Sequence, residues 1–342
     1  MEVLLGKTLL ELQAVAQEVG LPRFTGKQLA EWIYVRRATS FDEMTNISLK
    51  GREALKARYN IGRHAPVAEA ISKDGTKKYL FRVSNSEAIY IESVYIPDDD
   101  RATLCVSTQA GCKMGCKFCM TGTLGFHGHL SAAEILNQIF SIPDSDKLTN
   151  IVYMGEGEPM DNLDNVLRSL EVMTAAWACA WSPKRITVSS VGVNKGLKRF
   201  IEESECHLAI SLHNPFSIER QEIMPIEKAN RLNDVIALLK QYDWCHQRRV
   251  SFEYICWGGV NDTPKHANEL LRLLKGLDCR INLIRFHAGV NQDFPGSNEQ
   301  QMEWLRNYLT ERGITTTIRR SRGEDILAAC GMLVNALQSD KQ

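Results

Sequence analysis

In RATLCVSTQAGCKMGCKFCM, residues 101–120, a β-branched run gives way to a loop that carries three cysteines. ATLCVST (102–108) predicts a strand, and Cys112, Cys116 and Cys119 follow it in CxxxCxxC spacing on a glycine-containing loop. Three thiolates so placed can hold one metal centre. A structural zinc site is closed by four ligands, and neither an HxxxH nor a second CxxC stands nearby to complete one. On a 4Fe–4S cluster, three cysteines leave one iron open to a substrate or cofactor, and this reading is favoured.

Downstream, short β-branched runs alternate with amphipathic stretches. The runs NIVYMG (150–155), RITVSSV (185–191), HLAISLH (207–213), VSFEYIC (250–256) and INLIRFH (281–287) predict five more strands. SAAEILNQIF, LDNVLRSLEVMTAAW, NDVIALLKQY and HANELLRLLKG predict helices between them. Six βα units imply an α/β chain with a parallel sheet, either doubly wound or a full or partial barrel. Polar and glycine-rich residues crowd the strand ends (GEGEP, SSVG, SLHN, GGVN), the edge that carries the active site in both architectures.

Upstream, KKYLFRVSN and EAIYIESVYIP alternate with period two around a turn at Ser84 to Ser86, which predicts a β-hairpin between Lys77 and Pro97. Residues 1–60 read as a small helical module, with capping boxes predicted at Thr25–Gln28 and Ser40–Glu43. Lys27, Arg36, Arg37, Lys50, Arg52, Lys56 and Arg58 give this module a basic bias suited either to nucleic acid or to a solvated helix face. The expected organisation is a helical accessory domain (1–60), a hairpin linker region (61–98) and a core with a C-terminal catalytic segment (99–335).

Composition narrows the classes. The 342 residues are 44% hydrophobic, with 41 Lys plus Arg balancing 41 Asp plus Glu, which excludes a disordered or collagen-like chain. No apolar run approaches the roughly 18 residues of a membrane span, and MEVLLGKTLLELQ lacks a basic n-region and cleavage site. The expectation is a cytoplasmic protein with no membrane partner. Ten cysteines there do not make a disulfide framework, because the compartment keeps thiols reduced. Net charge zero requires any polyanion to be met by local clusters, for which Lys184–Arg185, Lys198–Arg199, Arg248–Arg249 and Arg319–Arg320 with Arg322 are the candidates.

CxxxCxxC after the first strand of a βα chain resembles the radical S-adenosylmethionine (SAM) superfamily. RGEDILAACG, which carries Cys330, together with RATLCVSTQAGC and CKFCMTG, resembles the RlmN and Cfr family of RNA adenine methyltransferases, and the likeness runs from about residue 20 to 335. It implies a radical SAM (β/α)6 partial TIM barrel with an N-terminal helical accessory domain for RNA and a small-sheet extension. It implies one 4Fe–4S cluster on Cys112, Cys116 and Cys119. SAM contacts are implied at Gly157, Glu158, Ser189, Ser211, Leu212, His213 and His287, the last standing where the family usually has Asn. Cys330 corresponds to the cysteine that becomes S-methylated, Cys105 to a second catalytic cysteine, and Glu92 to the proton acceptor.

The activity so implied is methylation of C2 of an adenosine in 23S rRNA and in tRNA beside the anticodon, with an electron donor of flavodoxin or ferredoxin type. Adenine C2 is electron-poor and does not attack a SAM methyl directly, so a radical route is needed. Cys330 takes a methyl as its thiolate. Attack of Cys105 on Cys330 would release the methylated base and leave a transient disulfide, and either Glu92 or Cys105 would take the ring proton. Cys179, Cys206, Cys245, Cys256 and Cys279 show no paired spacing and read as core or incidental. A base that must leave its stack favours a loop or bulge adenosine. The alternatives are C8 methylation of the ribosomal base, a glycyl-radical activase, which gives Cys105 and Cys330 no role, and a zinc-bound RNA-binding protein.

Overall fold

The structure, a computed structural model, describes residues 1–83, 86, 88–123, 125–244, 249–287 and 294–328. At the N-terminal end, β1 (Glu2–Val3) pairs in parallel with β2 (Tyr59–Asn60) and closes a module of α1 (Leu9–Glu18), α2 (Thr25–Ala30) and α3 (Leu49–Arg58). The Ser40–Glu43 capping box forms, on a single 3-10 turn, and one not expected forms at Thr8–Glu11. The Thr25–Gln28 box does not form. The preceding turn already satisfies the backbone N–H groups of Thr25, Gly26 and Lys27 with the carbonyls of Pro22, Arg23 and Phe24, so no side-chain cap is required. The module shares one hydrophobic core with the rest of the chain, and Arg168 anchors it by an ion pair to Glu11 at 2.6 Å.

The following strands are β3 (Ala68–Ile71), β4 (Lys77–Arg82), β5 (Tyr90–Pro97), β6 (Ala102–Cys105), β7 (Gln109–Gly111), β8 (Phe126–His129), β9 (Asn150–Tyr153), β10 (Ile186–Ser190), β11 (His207–Ser211), β12 (Val250–Cys256), β13 (Cys279–Arg285) and β14 (Thr315–Ile318). Helices α4 (Met120–Thr123), α5 (Ala132–Phe140), α6 (Leu163–Thr174), α7 (Asn194–Glu203), α8 (Ser217–Ile223), α9 (Leu232–Leu239), α10 (Pro264–Leu274) and α11 (Glu299–Thr310) connect them. Ten strands form one sheet in the order β14-β13-β12-β11-β10-β9-β6-β5-β4-β3. From β6 to β14 each strand lies beside its predecessor in parallel pairing, a single winding that selects the partial barrel over the doubly wound sheet.

All six expected strands form, and β14 adds a seventh parallel one. The hairpin also forms, but it gains β3 and joins the sheet through antiparallel pairing of β5 with β6, so it continues the barrel wall rather than linking two units.

Strand alternation divides the sheet faces. Val188, Leu208, Val250 and Phe252 are fully buried in the main core. Ser189, Ser211, Glu253 and Asn282, offset by one residue, lie on the inner face of the barrel. Fully covered parallel sheets are normally apolar on both faces. A polar inner face is what a ligand-holding barrel requires.

Candidate active site

A cavity opens at the C-terminal ends of the parallel strands. Cys112, Cys116 and Cys119 line it together with Gly157, Glu158, Ser189, Ser211 and His213, so residues spread over a hundred positions converge there. The cysteine loop is anchored at both ends: the Cys112 N–H donates to the Gly125 carbonyl at 2.9 Å, and the Lys117 N–H to that of Ile223 at 3.0 Å. Phe118 packs edge-on against His213 (4.7 Å between ring centroids) and tilts against Trp257 (5.4 Å), giving the loop its own apolar cluster.

Both glycines of the GEGEP turn are required by close approach. A Cβ at Gly155 would meet Val106 and Ser107 within 2.8 Å, and one at Gly157, which also has φ +97°, would meet Gln109 at 2.5 Å. The two glutamates point to different tasks. Glu156 accepts the N–H of Glu92 at 2.8 Å and of Gly111 at 3.3 Å, tying β5 to the start of the cysteine loop. Glu158 faces the cavity while accepting the N–H groups of Met160 (3.0 Å) and Val191 (2.9 Å). Burial pushes Glu156 up to about 8 and Glu158 up to about 7.

His213 has left-handed backbone (φ +55°), an uncommon conformation for a non-glycine residue. Its Nδ1 accepts the Ile255 N–H at 3.1 Å, and burial holds the ring near pKa 3, so it is neutral with Nε2 left as the donor nitrogen. Buried Arg220 binds the carbonyls of Val191, Ser211 and Leu212 at 2.9–3.0 Å and pairs with Glu227, which fixes the ends of β10 and β11. The sequence reading missed it, because nothing local marks a helix arginine as a strand-end clamp. Leu212 is fully buried in the core, with its backbone N–H and carbonyl already bonded, and it does not line the cavity. His287 also stands outside the lining: its Nε2 lies 2.6 Å from Ser321 Oγ and its Nδ1 3.5 Å from the Glu324 carboxylate.

Cys105 and Glu92 lie on the inner face of the antiparallel half. Val94 pairs with Cys105 in register, which puts Glu92 one side-chain step, about 7 Å, further along β5 on the same face. Glu92 is buried and ion-paired with buried Lys78 at 3.1 Å. Over this surface lies the chain leading to Cys330, with Ile326 and Ala328 packing against Val94 and Cys105. The β3–β4 turn clasps that segment: Asp325 accepts Ser72 Oγ–H at 2.5 Å and the Lys73 N–H at 3.2 Å, and Asp74 accepts the Gly323 N–H at 3.0 Å. Cys330 itself lies outside the described residues, as do Cys245 and Arg248. The eight described cysteines form no disulfide.

The cysteine triad suits a cluster better than a single ion. Among the described residues no three His, Cys, Asp or Glu side chains gather closely enough to hold one metal ion. One tetrahedral zinc needs its sulfurs around a single point ~2.3 Å away, whereas an iron–sulfur cluster takes each thiolate on a different iron. Burial pushes Cys112 up to about 12 and raises Cys116 and Cys119, so three thiolates on this wall need a strongly cationic partner.

The basic clusters divide. Lys198 and Arg199 pair with Glu202, Glu203 and Asp164, Arg319 with Glu253, and Arg322 with Asp98. Lys184 and Arg249, with Arg280, instead act on buried His207, whose pKa is held near 4 by burial and then by these cations. That group sits at the N-terminal ends of the strands, opposite the cavity. In the N-terminal module Arg36 pairs with Glu31, and Lys56 with Asp42 and Glu53. No helix among the described residues is long and apolar enough to cross a membrane.

Two family models match the chain: the ribosomal RNA large subunit methyltransferase N-terminal domain over residues 3–61, and the radical SAM superfamily over residues 106–284. A probable dual-specificity RNA methyltransferase RlmN of Bacteroides fragilis is 59% identical over 337 residues, which is 98% of this chain and 97% of that protein. The dual-specificity RNA methyltransferase RlmN of Marinobacter nauticus is 39% identical over 98% of this chain and 93% of its own length. A radical SAM methyltransferase from Sphaerobacter thermophilus, solved by crystallography, superposes with a TM-score of 0.90 at 35% identity, covering 97% of this chain and 99% of that one.

Proposed function

Because the chain belongs to the RlmN family of radical SAM RNA methyltransferases, we propose that it methylates C2 of an adenosine in 23S rRNA and in tRNA beside the anticodon, through an S-methylated Cys330. The observation that carries this reading is the pairing of two sites on one inner face. The cysteine triad and the polar strand ends line an open cavity, and the segment leading to Cys330 docks beside Cys105 and Glu92.

Cys112, Cys116 and Cys119 would hold a 4Fe–4S cluster, with Glu158, Ser189, Ser211 and His213 around SAM. Bound there, the two groups supply the one-electron chemistry that activates a methyl carbon. The remaining steps belong to the chain. Cys330, as thiolate, accepts a methyl group and later carries its carbon to the adenine ring. Glu92, ion-paired with Lys78, takes the ring proton. Once the adduct has given its unpaired electron back to the redox centre that the cavity would hold, the Cys105 thiolate attacks the Cys330 sulfur: a sulfur–sulfur bond forms as the carbon–sulfur bond breaks, and the electron pair left on the methylene carbon takes up a proton to give the methyl group of the departing base.

RNA approach is assigned to the N-terminal module, whose residues 3–61 match the ribosomal RNA large subunit methyltransferase N-terminal domain. A flavodoxin- or ferredoxin-type protein would return electrons, and the RNA substrates imply a cytoplasmic enzyme. Nucleoside mass spectrometry of rRNA and tRNA from a deletion strain tests the reading. C2-methyladenosine should vanish from both and return with the wild-type gene. Its unchanged presence, or loss of C8-methyladenosine instead, overturns the proposal.

A further inference from the structure

We infer that Glu253 is a hydrogen-bond acceptor for the ribose hydroxyls of the adenosyl ligand, in a subsite that neither the GEGEP turn nor the serine and histidine positions supply. The inference rests on the reading of the cavity as the SAM site. Glu253 stands in the middle of β12, in register with Ser211 on β11 and Asn282 on β13, so it belongs to the polar inner face. It lines the cavity and is 4% exposed.

Its two oxygens are treated differently. Oε1 accepts Asn282 Nδ2–H at 2.8 Å and the Arg319 guanidinium at 3.1 Å, with Ser251 Oγ at 3.5 Å. Oε2 is buried and has no hydrogen-bond partner. A buried carboxylate oxygen left so forfeits its hydration, which native proteins tolerate where a ligand restores the bond.

The chemistry of the missing donor follows from the charge. The carboxylate is already neutralised by Arg319, so the site lacks a hydrogen bond without lacking a cation. That argues for a neutral hydroxyl and against an ammonium. The cavity's other carboxylate, Glu158, has both oxygens committed to the N–H groups of Met160 and Val191. A nucleoside's vicinal diol is the neutral donor pair that an adenosyl ligand brings, and the donor groups of Ser189, Ser211 and His213 on the same wall meet its acceptors. Asn282 is itself held by Thr317 Oγ1–H at 2.8 Å, so the acceptor is oriented by a chain of bonds running across three strands.

The test is anaerobic calorimetry on the reconstituted holoenzyme with two probes, S-adenosylhomocysteine and its 2′,3′-dideoxy counterpart. Wild type should prefer the diol by about 10- to 100-fold, the range of a hydrogen bond to a charged group. Glu253→Met, which keeps the volume and removes both oxygens, should bring the preference to within about threefold. Should that variant melt below the assay temperature, Glu253→Gln retains an oxygen for Asn282 and Arg319 and should still cut the preference severalfold. The ratio cancels any general weakening of the site, which a purely structural role would produce equally for both probes. A wild-type ratio near one, or an unchanged ratio in the folded variant, overturns the inference alone. A holoenzyme that binds neither probe overturns it together with the reading of the cavity.

Discussion

The ten-stranded sheet works differently on its two sides of β6. From β6 to β14 it is parallel, and its inner face opens at the strand ends into a cavity edged by the cysteine triad, Ser189, Ser211 and Glu253. From β5 to β3 it is antiparallel, and its inner face holds the Lys78–Glu92 pair and Cys105, with Ile326 and Ala328 of the C-terminal segment packed beside Cys105. The parallel half is shaped for small ligands that enter and leave. On the function proposed above, the antiparallel half serves the protein's own sulfur chemistry, with the reacting groups on covalently connected segments. Because β6 belongs to both, the thiol at its end stands at the seam.

Variants in the two halves should therefore fail in different ways. Cys116→Ala strikes the parallel half and should abolish product, with iron content falling in the reconstituted protein. Full iron incorporation would remove the triad from its assigned role. Cys105→Ala strikes the seam and should reduce turnover to a trace while trapping RNA covalently on the protein, seen as a mobility shift resistant to denaturant. A variant that releases product normally would mean that the antiparallel half has no resolving thiol.

The buried ion pair gives the next largest effect. Lys78→Met leaves the Glu92 carboxylate without its cation, which should cost about 3–5 kcal/mol in chemical denaturation. Glu92→Leu added to it should recover most of that stability without recovering activity. The cavity half should instead show itself through pH. Glu156 and Glu158 are raised from 4.5 to about 8 and about 7, so the folded chain holds their protons more tightly than the unfolded chain does. Their contribution to stability is complete below about 4.5 and is lost as pH rises through about 7 to 8. Denaturation midpoints should fall across that window, and Glu156→Gln should flatten the slope.

The smallest effect is expected at the clasp. Asp325→Asn takes a charged acceptor away from Ser72 Oγ–H and the Lys73 N–H, and so weakens the hold of the β3–β4 turn on the C-terminal segment. Faster hydrogen exchange of residues 323–328 with a normal iron content would place the damage in the antiparallel half alone.

What the sequence disclosed is mostly what is local. CxxxCxxC, the six β-branched runs and the glycine-rich strand ends each lie within a dozen residues, and each is found where expected. β14 escaped notice because TTTI is four residues long and lacks an apolar alternation; only its pairing with β13 makes it a strand. The Thr25–Gln28 pattern misled because a backbone turn had already taken the donors that a capping box would satisfy. Arg220 on strand-end carbonyls, Arg319 on Glu253 and Asp325 on Ser72 are pairings across the fold, the last spanning 253 positions, and no window of sequence contains them. Leu212 and His287 were assigned by resemblance; in the structure one is core and the other turns toward Ser321 and Glu324.

The division of labour across β6 is tested most directly by anaerobic reconstitution with SAM, a reductant and a 23S rRNA fragment, followed by nucleoside analysis of the RNA and peptide mass analysis of the protein. The account predicts C2-methyladenosine in the RNA, one added methyl group on the peptide carrying Cys330, and accumulation of that methylated peptide when RNA is withheld. C2-methyladenosine formed while Cys330 stays unmodified, or formed equally well by Cys330→Ala, would contradict it.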